Sequence, residues 1–289
     1  MNNPIITVIG STGTIGSKLT EILSNSGASV RAVMRNINRV RELPGVVWLQ
    51  ADVNDKRLLE SALAGTDQLF LLTGNRAGFG KTQIDIIKAA ERLDVKHVVK
   101  LSALGASPHT KSGLALEHWE AEQALENSKM SWTILRPHVF MQNWLGDEAK
   151  TVREEGIIYS AIGEGKVPFI DARDIAAVAA EALLHPEKHH GQKYVLTGGE
   201  AVGYEQLANA LSQATGKPVV YKSLSMDEMR ERMEKQGIPA KSIDSLLALA
   251  AYQKAGGATE RVSDSVQKIL NRPPHSVEDF ARDYRENFI

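Results

Sequence analysis

Ile5-Ile6-Thr7-Val8-Ile9-Gly10-Ser11-Thr12-Gly13-Thr14-Ile15-Gly16 is the stretch on which the fold turns. Its first five residues read as a short buried strand, and they run directly into three glycines spaced Gly-x-x-Gly-x-x-Gly. The glycines open a helical periodicity over Ile15–Ser26. Strand, glycine turn and helix in that order predict a crossover unit whose backbone can approach a diphosphate. A side chain in the turn would hold the main chain away from such an anion, whereas free N–H groups and the helix dipole attract it. The other reading is a glycine turn that merely joins strand to helix.

Working outward, runs of strand length alternate with helical patterns, the signature of crossover units on a parallel sheet. Strands are expected at Ile5–Ile9, Ser29–Met34, Val46–Gln50, Gln68–Thr73, Val95–Ser102 and Trp132–Arg136. Helices are expected at Ile15–Ser26, Asp55–Ala64, Lys81–Leu93 and Leu114–Asn127. The strands are nearly continuous in Val, Ile and Leu, which implies burial on both faces. Past Pro137 the pattern loosens into extended pieces at Ile157–Tyr159, Val167–Ile170 and Tyr194–Leu196, helices at Ala172–Leu184 and Tyr204–Thr215, and a mostly helical remainder from Ser225. The fold class is therefore α/β, a Rossmann-type doubly wound parallel sheet with a smaller mixed, mostly helical C-terminal lobe. Residues 1–150 form the dinucleotide-binding domain, with returns to the sheet at about 168–200, and residues 151–289 form the substrate lobe.

Composition narrows the function classes. A 43% hydrophobic and 24% charged chain of 289 residues is that of an ordinary globular protein. A formal net charge of -1 gives no pull toward nucleic acid or an acidic membrane. With no cysteine, there is no disulfide framework, thiol nucleophile or thiolate metal site. The start of the chain lacks a basic segment followed by an apolar run and cleavage site, and a cytoplasmic protein is expected.

Arg35 ends the second strand pattern, where NAD-binding proteins of this fold place an acid for the ribose 2′-hydroxyl. With Arg39 and Arg41 close behind, it offers a guanidinium to a 2′-phosphate, so NADP(H) is the expected cofactor. The alternative is a solvated arginine at a strand exit. The fourth strand ends in Leu71-Leu72-Thr73-Gly74, and its backbone and Thr73 are expected to pass the nicotinamide ribose at the carboxyl edge.

The glycine turn resembles that of the extended and atypical short-chain dehydrogenase/reductases. Further segments carry the likeness: Val33-Met34-Arg35-Asn36, His97-Val98-Val99-Lys100-Leu101-Ser102, Glu117-His118-Trp119-Glu120-Ala121-Glu122, Thr133-Ile134-Leu135-Arg136-Pro137 with Asn143, and Phe169-Ile170-Asp171-Ala172-Arg173-Asp174-Ile175-Ala176. Over nearly its whole length the chain resembles the NmrA-like branch, which includes bacterial NAD(P)H:quinone oxidoreductases and triphenylmethane reductase. The resemblance implies that Asp52, with Val53, reaches the adenine amino group, although Asp52 or Asp55 could instead cap the next helix. It implies that Ser102 stands where related enzymes hold a catalytic serine, against a reading in which it only bonds backbone. It also implies that backbone after Pro137 lies against the nicotinamide amide. Phe140, Asn143 and Trp144 follow and could wall a substrate pocket, or be plain core.

The Tyr-x-x-x-Lys pair that ordinary short-chain dehydrogenases use is absent. His118 and Glu122 occupy that helix instead, four residues apart on one face. Three readings stand. His118 or solvent protonates an electron-poor acceptor, a quinone or dye, after hydride transfer from NADPH. Alternatively, catalysis is lost and the protein is an NADP(H)-sensing regulator acting through a protein partner. In the third reading the two residues form only a surface pair.

Other signals carry less. Asp171 and Asp174 read as helix caps, not a catalytic carboxylate pair. His185, His189 and His190 are broken up by Pro186, and no metal is expected. Ser102 lacks the Gly-x-Ser-x-Gly elbow of a hydrolase. The apolar run Ser245–Tyr252 reads as a packed helix of the lobe.

Overall fold

The structure is a computed structural model and describes residues 4–37, 40–76 and 78–289. Among the described residues the strands are β1 (Ile5–Ile9), β2 (Ser29–Met34), β3 (Val46–Gln50), β4 (Gln68–Leu71), β5 (His97–Leu101), β6 (Ser131–Pro137), β7 (Ile157–Ser160), β8 (Gln192–Leu196) and β9 (Val220–Ser223). The helices are α1 (Thr14–Asn25), α2 (Lys56–Leu63), α3 (Phe79–Arg92), α4 (Gly113–Glu126), α5 (Asp147–Glu155), α6 (Ala172–Leu184), α7 (Pro186–His189), α8 (Tyr204–Thr215), α9 (Met226–Lys235), α10 (Ala240–Lys254), α11 (Ser265–Leu270) and α12 (Val277–Asp283).

Seven strands form one all-parallel sheet in the order β3-β2-β1-β4-β5-β6-β8. The order runs outward from β1 in one direction and resumes at β4 in the other, so the carboxyl ends of β1 and β4 bound the crevice where ligands bind in such sheets. α1 packs on α6 and α6 on α11, while α2, α3 and α4 pack in sequence. Right-handed crossovers place these two groups on opposite faces. Both faces are thus covered, and β4 and β5 are buried along their whole length.

The chain divides into two compact units. The first contains Met1–Pro137, Ala172–Leu196 and Ser265–Asn271, and so holds the whole seven-stranded sheet. The second contains His138–Asp171, Thr197–Asp264 and Arg272–Ile289. Its own sheet is the parallel pair β7–β9, and its core gathers Trp144, Phe169, Ile158, Leu207, Leu211 and Phe280.

Two departures from the sequence reading have physical causes. Val167–Ile170 is no strand, since it pairs only through single bridges, Val167 with Val202 and Phe140 with Ile170. Pro168 lies inside it and has no N–H to give a ladder. The four-residue β9 was not anticipated, because a piece so short shows no period of its own. Among the described residues no helix is long and apolar enough to cross a membrane.

Candidate functional site

At the mouth of the crevice the chain leaves β1 through Gly10, whose φ of 79° lies in the left-handed region that glycine favours. A Cβ there would stand 2.7 Å from the carbonyl oxygen of Leu72, just past β4. A Cβ on Gly16 would collide with the carbonyl oxygen of Gly10. Glycine is therefore required twice for close backbone approach. The Gly13 N–H donates to the Gly10 carbonyl at 3.0 Å, and Gly13 caps α1 without a side chain. No side-chain cap and no acidic residue occupies the first turn of α1, so the amides of Thr14, Ile15 and Gly16 are left for an outside acceptor. Thr12, Gly13 and Thr14 reach the surface, Ile15 is core, and the buried Ser11 hydroxyl donates to Val33 O at 2.8 Å. Ser11 contributes backbone, its side chain being spent on anchoring the turn to β2. A bare, electropositive helix start with no Cβ in the way fits a diphosphate.

Arg35 follows β2 and is exposed. Arg41 pairs with Glu21 at 3.4 Å on the surface, and Arg39 lies outside the described residues. Asp52 is exposed after β3, with Val53 half-buried beside it. Its carboxylate accepts from the Asn54 amide and side chain, which with the nearby Arg35 charge holds its pKa down. Asp55, not Asp52, caps α2, accepting from the amides of Arg57 and Leu58. Past β4, Thr73 Oγ1 accepts from the buried Gln83 of α3 at 3.0 Å, and Gly74 is exposed with open space about its Cα.

Behind this edge lies a buried polar cluster. The two-residue period of β5 puts Lys100 and Ser102 on one face, and α4 brings His118 and Glu122 to it. His118 and Glu122 are 4% and 0% exposed, so the surface-pair reading is wrong. Nor do they pair with each other. Arg136 of β6 clamps Glu122 through Nε at 3.0 Å and through its Nη2, and Ser102 Oγ donates to the same carboxylate. Lys193 Nζ stands 3.9 Å from Glu122 and 2.6 Å from Glu126. Lys100 Nζ meets His118 Nδ1 at 3.3 Å, and Phe79 covers the imidazole at a centroid distance of 4.7 Å. Burial, reinforced by the Lys100 charge, drives the His118 pKa down to about 3. Burial lowers Lys100 to about 7, against the pull of Glu122. His118 is a neutral imidazole near neutral pH.

The NmrA-like family model matches residues 2–281. The chain belongs to the NmrA-like family. This NmrA-like protein is 36% identical to an NAD(P)H azoreductase from Xenophilus azovorans, over 98% of this chain and 99% of the relative. It is 29% identical to the NADPH-dependent quinone oxidoreductase QOR2 of Escherichia coli, solved with NADPH, with a TM-score of 0.85 over 96% of this chain and 99% of that one. A triphenylmethane reductase from Citrobacter sp. shares the fold at 23% identity, with a TM-score of 0.86 over 98% and 99% of the two chains.

Further along the NmrA-like chain, Pro137 is buried at the end of β6 and its carbonyl accepts from Leu104 N, tying the loop after Ser102 to it. Phe140 is half-buried and Asn143 exposed. Trp144 corrects the pocket-wall expectation: it is 1% exposed and packs on Phe169, Phe280 and Tyr204 at 4.6, 5.3 and 6.4 Å, as a core ring does. His189 and His190 turn to separate partners, Tyr194 Oη and Ser131 Oγ, while His185 stands 3.8 Å from Glu181. Asp171 and Asp174 are fully buried at the start of α6.

Sequence reasoning missed Lys100, Arg136 as the partner of Glu122, Gln83, and Glu117, whose carboxylate accepts from the amides of Gly78 and Gly80 before and within α3. The available signal for Lys100 was a lysine inside an otherwise apolar strand, in register with Ser102.

Proposed function

We propose that the protein is an NADPH-dependent oxidoreductase that reduces small, electron-poor acceptors such as quinones and azo dyes. The observation that carries this reading is the helix start at the sheet's switch point, stripped of side chains and holding amides with no acceptor, with an exposed arginine on the adjoining strand exit. The names of the azoreductase and of QOR2 point to the same chemistry. Bound nicotinamide supplies the hydride. The amides of Thr14, Ile15 and Gly16 hold the diphosphate, Arg35 pairs with the 2′-phosphate, and Asp52 with Val53 borders the adenine. Thr73, Gly74, Ser102 and Pro137, all at the carboxyl ends of their strands, border the nicotinamide ribose. His118, neutral and shielded by Phe79, is the proton donor to the reduced acceptor.

The purified protein should oxidise NADPH steadily in the presence of a panel of quinones and azo dyes, followed by loss of nicotinamide absorbance. Tight cofactor binding without turnover of any acceptor would make the chain a cofactor-sensing regulator. Failure to bind NADPH at all would end both readings.

A further inference from the structure

Lys100 has no place in the site as sequence defines it, yet its side chain is wholly buried within hydrogen-bond reach of the proposed proton donor. Its Nζ donates to Leu101 O at 3.2 Å and faces His118 Nδ1 at 3.3 Å. In its ammonium form Lys100 carries only donors, so against it Nδ1 accepts and the ring proton of His118 sits on Nε2. Glu122, whose charge acts on Lys100 from α4, is committed to Arg136 and Ser102, and Arg136 from β6 opposes the lysine's charge. Lys193 of β8 reaches the same cluster through Glu122 and Glu126. Both direct contacts of Lys100 are thus neutral, an arrangement in which a buried ammonium gives up its proton readily.

Resting on the reductase reading above, we propose that Lys100 is a positioning residue that fixes the tautomer of His118 and refills it with a proton as the reduced acceptor is protonated. A quinone that has accepted hydride carries a phenolate oxygen one proton short of hydroquinone. The His118 Nε2–H bond breaks to form the phenol O–H, and a proton passes from Lys100 Nζ to Nδ1. Lysine is left as a neutral amine and the imidazole stays neutral. After product leaves, water returns a proton to Nε2 and the Nδ1 proton goes back to Lys100, so each cycle consumes one hydride and one solvent proton. A cationic triphenylmethane dye differs, because hydride on its central carbon gives the neutral leuco form with no proton required.

This difference supplies the test. Lys100→Met should lower quinone turnover by roughly a hundredfold or more, the scale of assisted proton transfer. Reduction of malachite green should stay within about twofold, which also shows that the variant folds and binds NADPH. Lys100→Arg, which keeps a donor that cannot deprotonate, should not restore quinone turnover. In the cofactor-free protein, nitrogen NMR of labelled histidine should find His118 as the Nε2–H tautomer, and Lys100→Met should shift it toward a mixture. Equal loss with both acceptors, no loss with either, or an Nδ1–H tautomer in the unmodified protein overturns the inference while leaving the reductase reading in place. No turnover of either acceptor by the unmodified protein overturns the reductase reading itself.

Discussion

In the proposed cofactor site a single side chain, Arg35, would decide between cofactors. An exposed guanidinium at this strand exit can pair with a 2′-phosphate but has nothing comparable to hold on a 2′-hydroxyl. Arg35→Ser should weaken NADPH binding by about 1.5–3 kcal/mol, the worth of a charge-assisted hydrogen bond, and leave NADH nearly unchanged. Fluorescence titration with both nucleotides checks it, and an equal loss for the two would remove Arg35 from the site. Gly16 acts at the same scale through what it lacks. Gly16→Ala forces a Cβ into the carbonyl of Gly10, so the turn must open. The expected result is a loss of about 1–3 kcal/mol of stability together with loss of NADPH binding, read by urea unfolding and titration of the same preparation.

Between elements, the Glu122 carboxylate joins α4 to β5 and β6, because it collects Ser102 from one strand and Arg136 from the other. Removing it strands a guanidinium that is only 22% exposed. Glu122→Ala should cost about 3 kcal/mol, and the double variant with Arg136→Met should recover a large part, since deleting both charges leaves neither uncompensated. Lys100 gives the opposite expectation. Its folded pKa of about 7 lies below its ordinary value of 10.5, so between these limits the unfolded chain holds a proton that the folded chain has released. Stability should therefore rise with pH across that window, and Lys100→Met should be more stable than the parent below it and lose that slope in chemical unfolding.

These cross-element bonds are also where sequence reading stopped. The ends of β1, β2 and β3 were legible to the residue because glycine, arginine and aspartate punctuate apolar runs. The glycine turn between β1 and α1 was legible because its backbone geometry is local. Glu122 and His118 were visible as helix neighbours four residues apart, but period alone could not say that one turns to Arg136 and the other to Lys100. A lysine in a strand reads as solvated until the neighbouring helix is seen to cover it.

Across the described residues, four histidines are buried and pushed toward the neutral form: His97, His118 and His189 in the sheet unit and His138 in the second unit. Burial lowers His97 to about 4, helped by the charges of His190 and His189, and lowers His138 to about 4 against a Thr259 backbone interaction. His118 falls to about 3 for the reasons given above. All four folded values lie below the ordinary 6.5, so as pH drops through 6.5 the unfolded chain takes up protons that the folded chain refuses. Stability present above pH 6.5 is lost progressively toward pH 4, by several kcal/mol in all, since each tenfold difference in proton affinity between the two states is worth roughly 1.4 kcal/mol. Urea midpoints at pH 7, 6 and 5 should fall in steps, and His118→Phe, which keeps a ring beside Phe79 and cannot protonate, should flatten the fall. NADPH at about a hundred times its Kd adds about 2.7 kcal/mol by binding only the folded chain, so the same titration with cofactor should be displaced upward at every pH with its slope intact. A midpoint that stayed level from pH 7 to 5 would mean that these imidazoles reach water in solution, and the neutral His118 on which the proton transfer depends would lose its support.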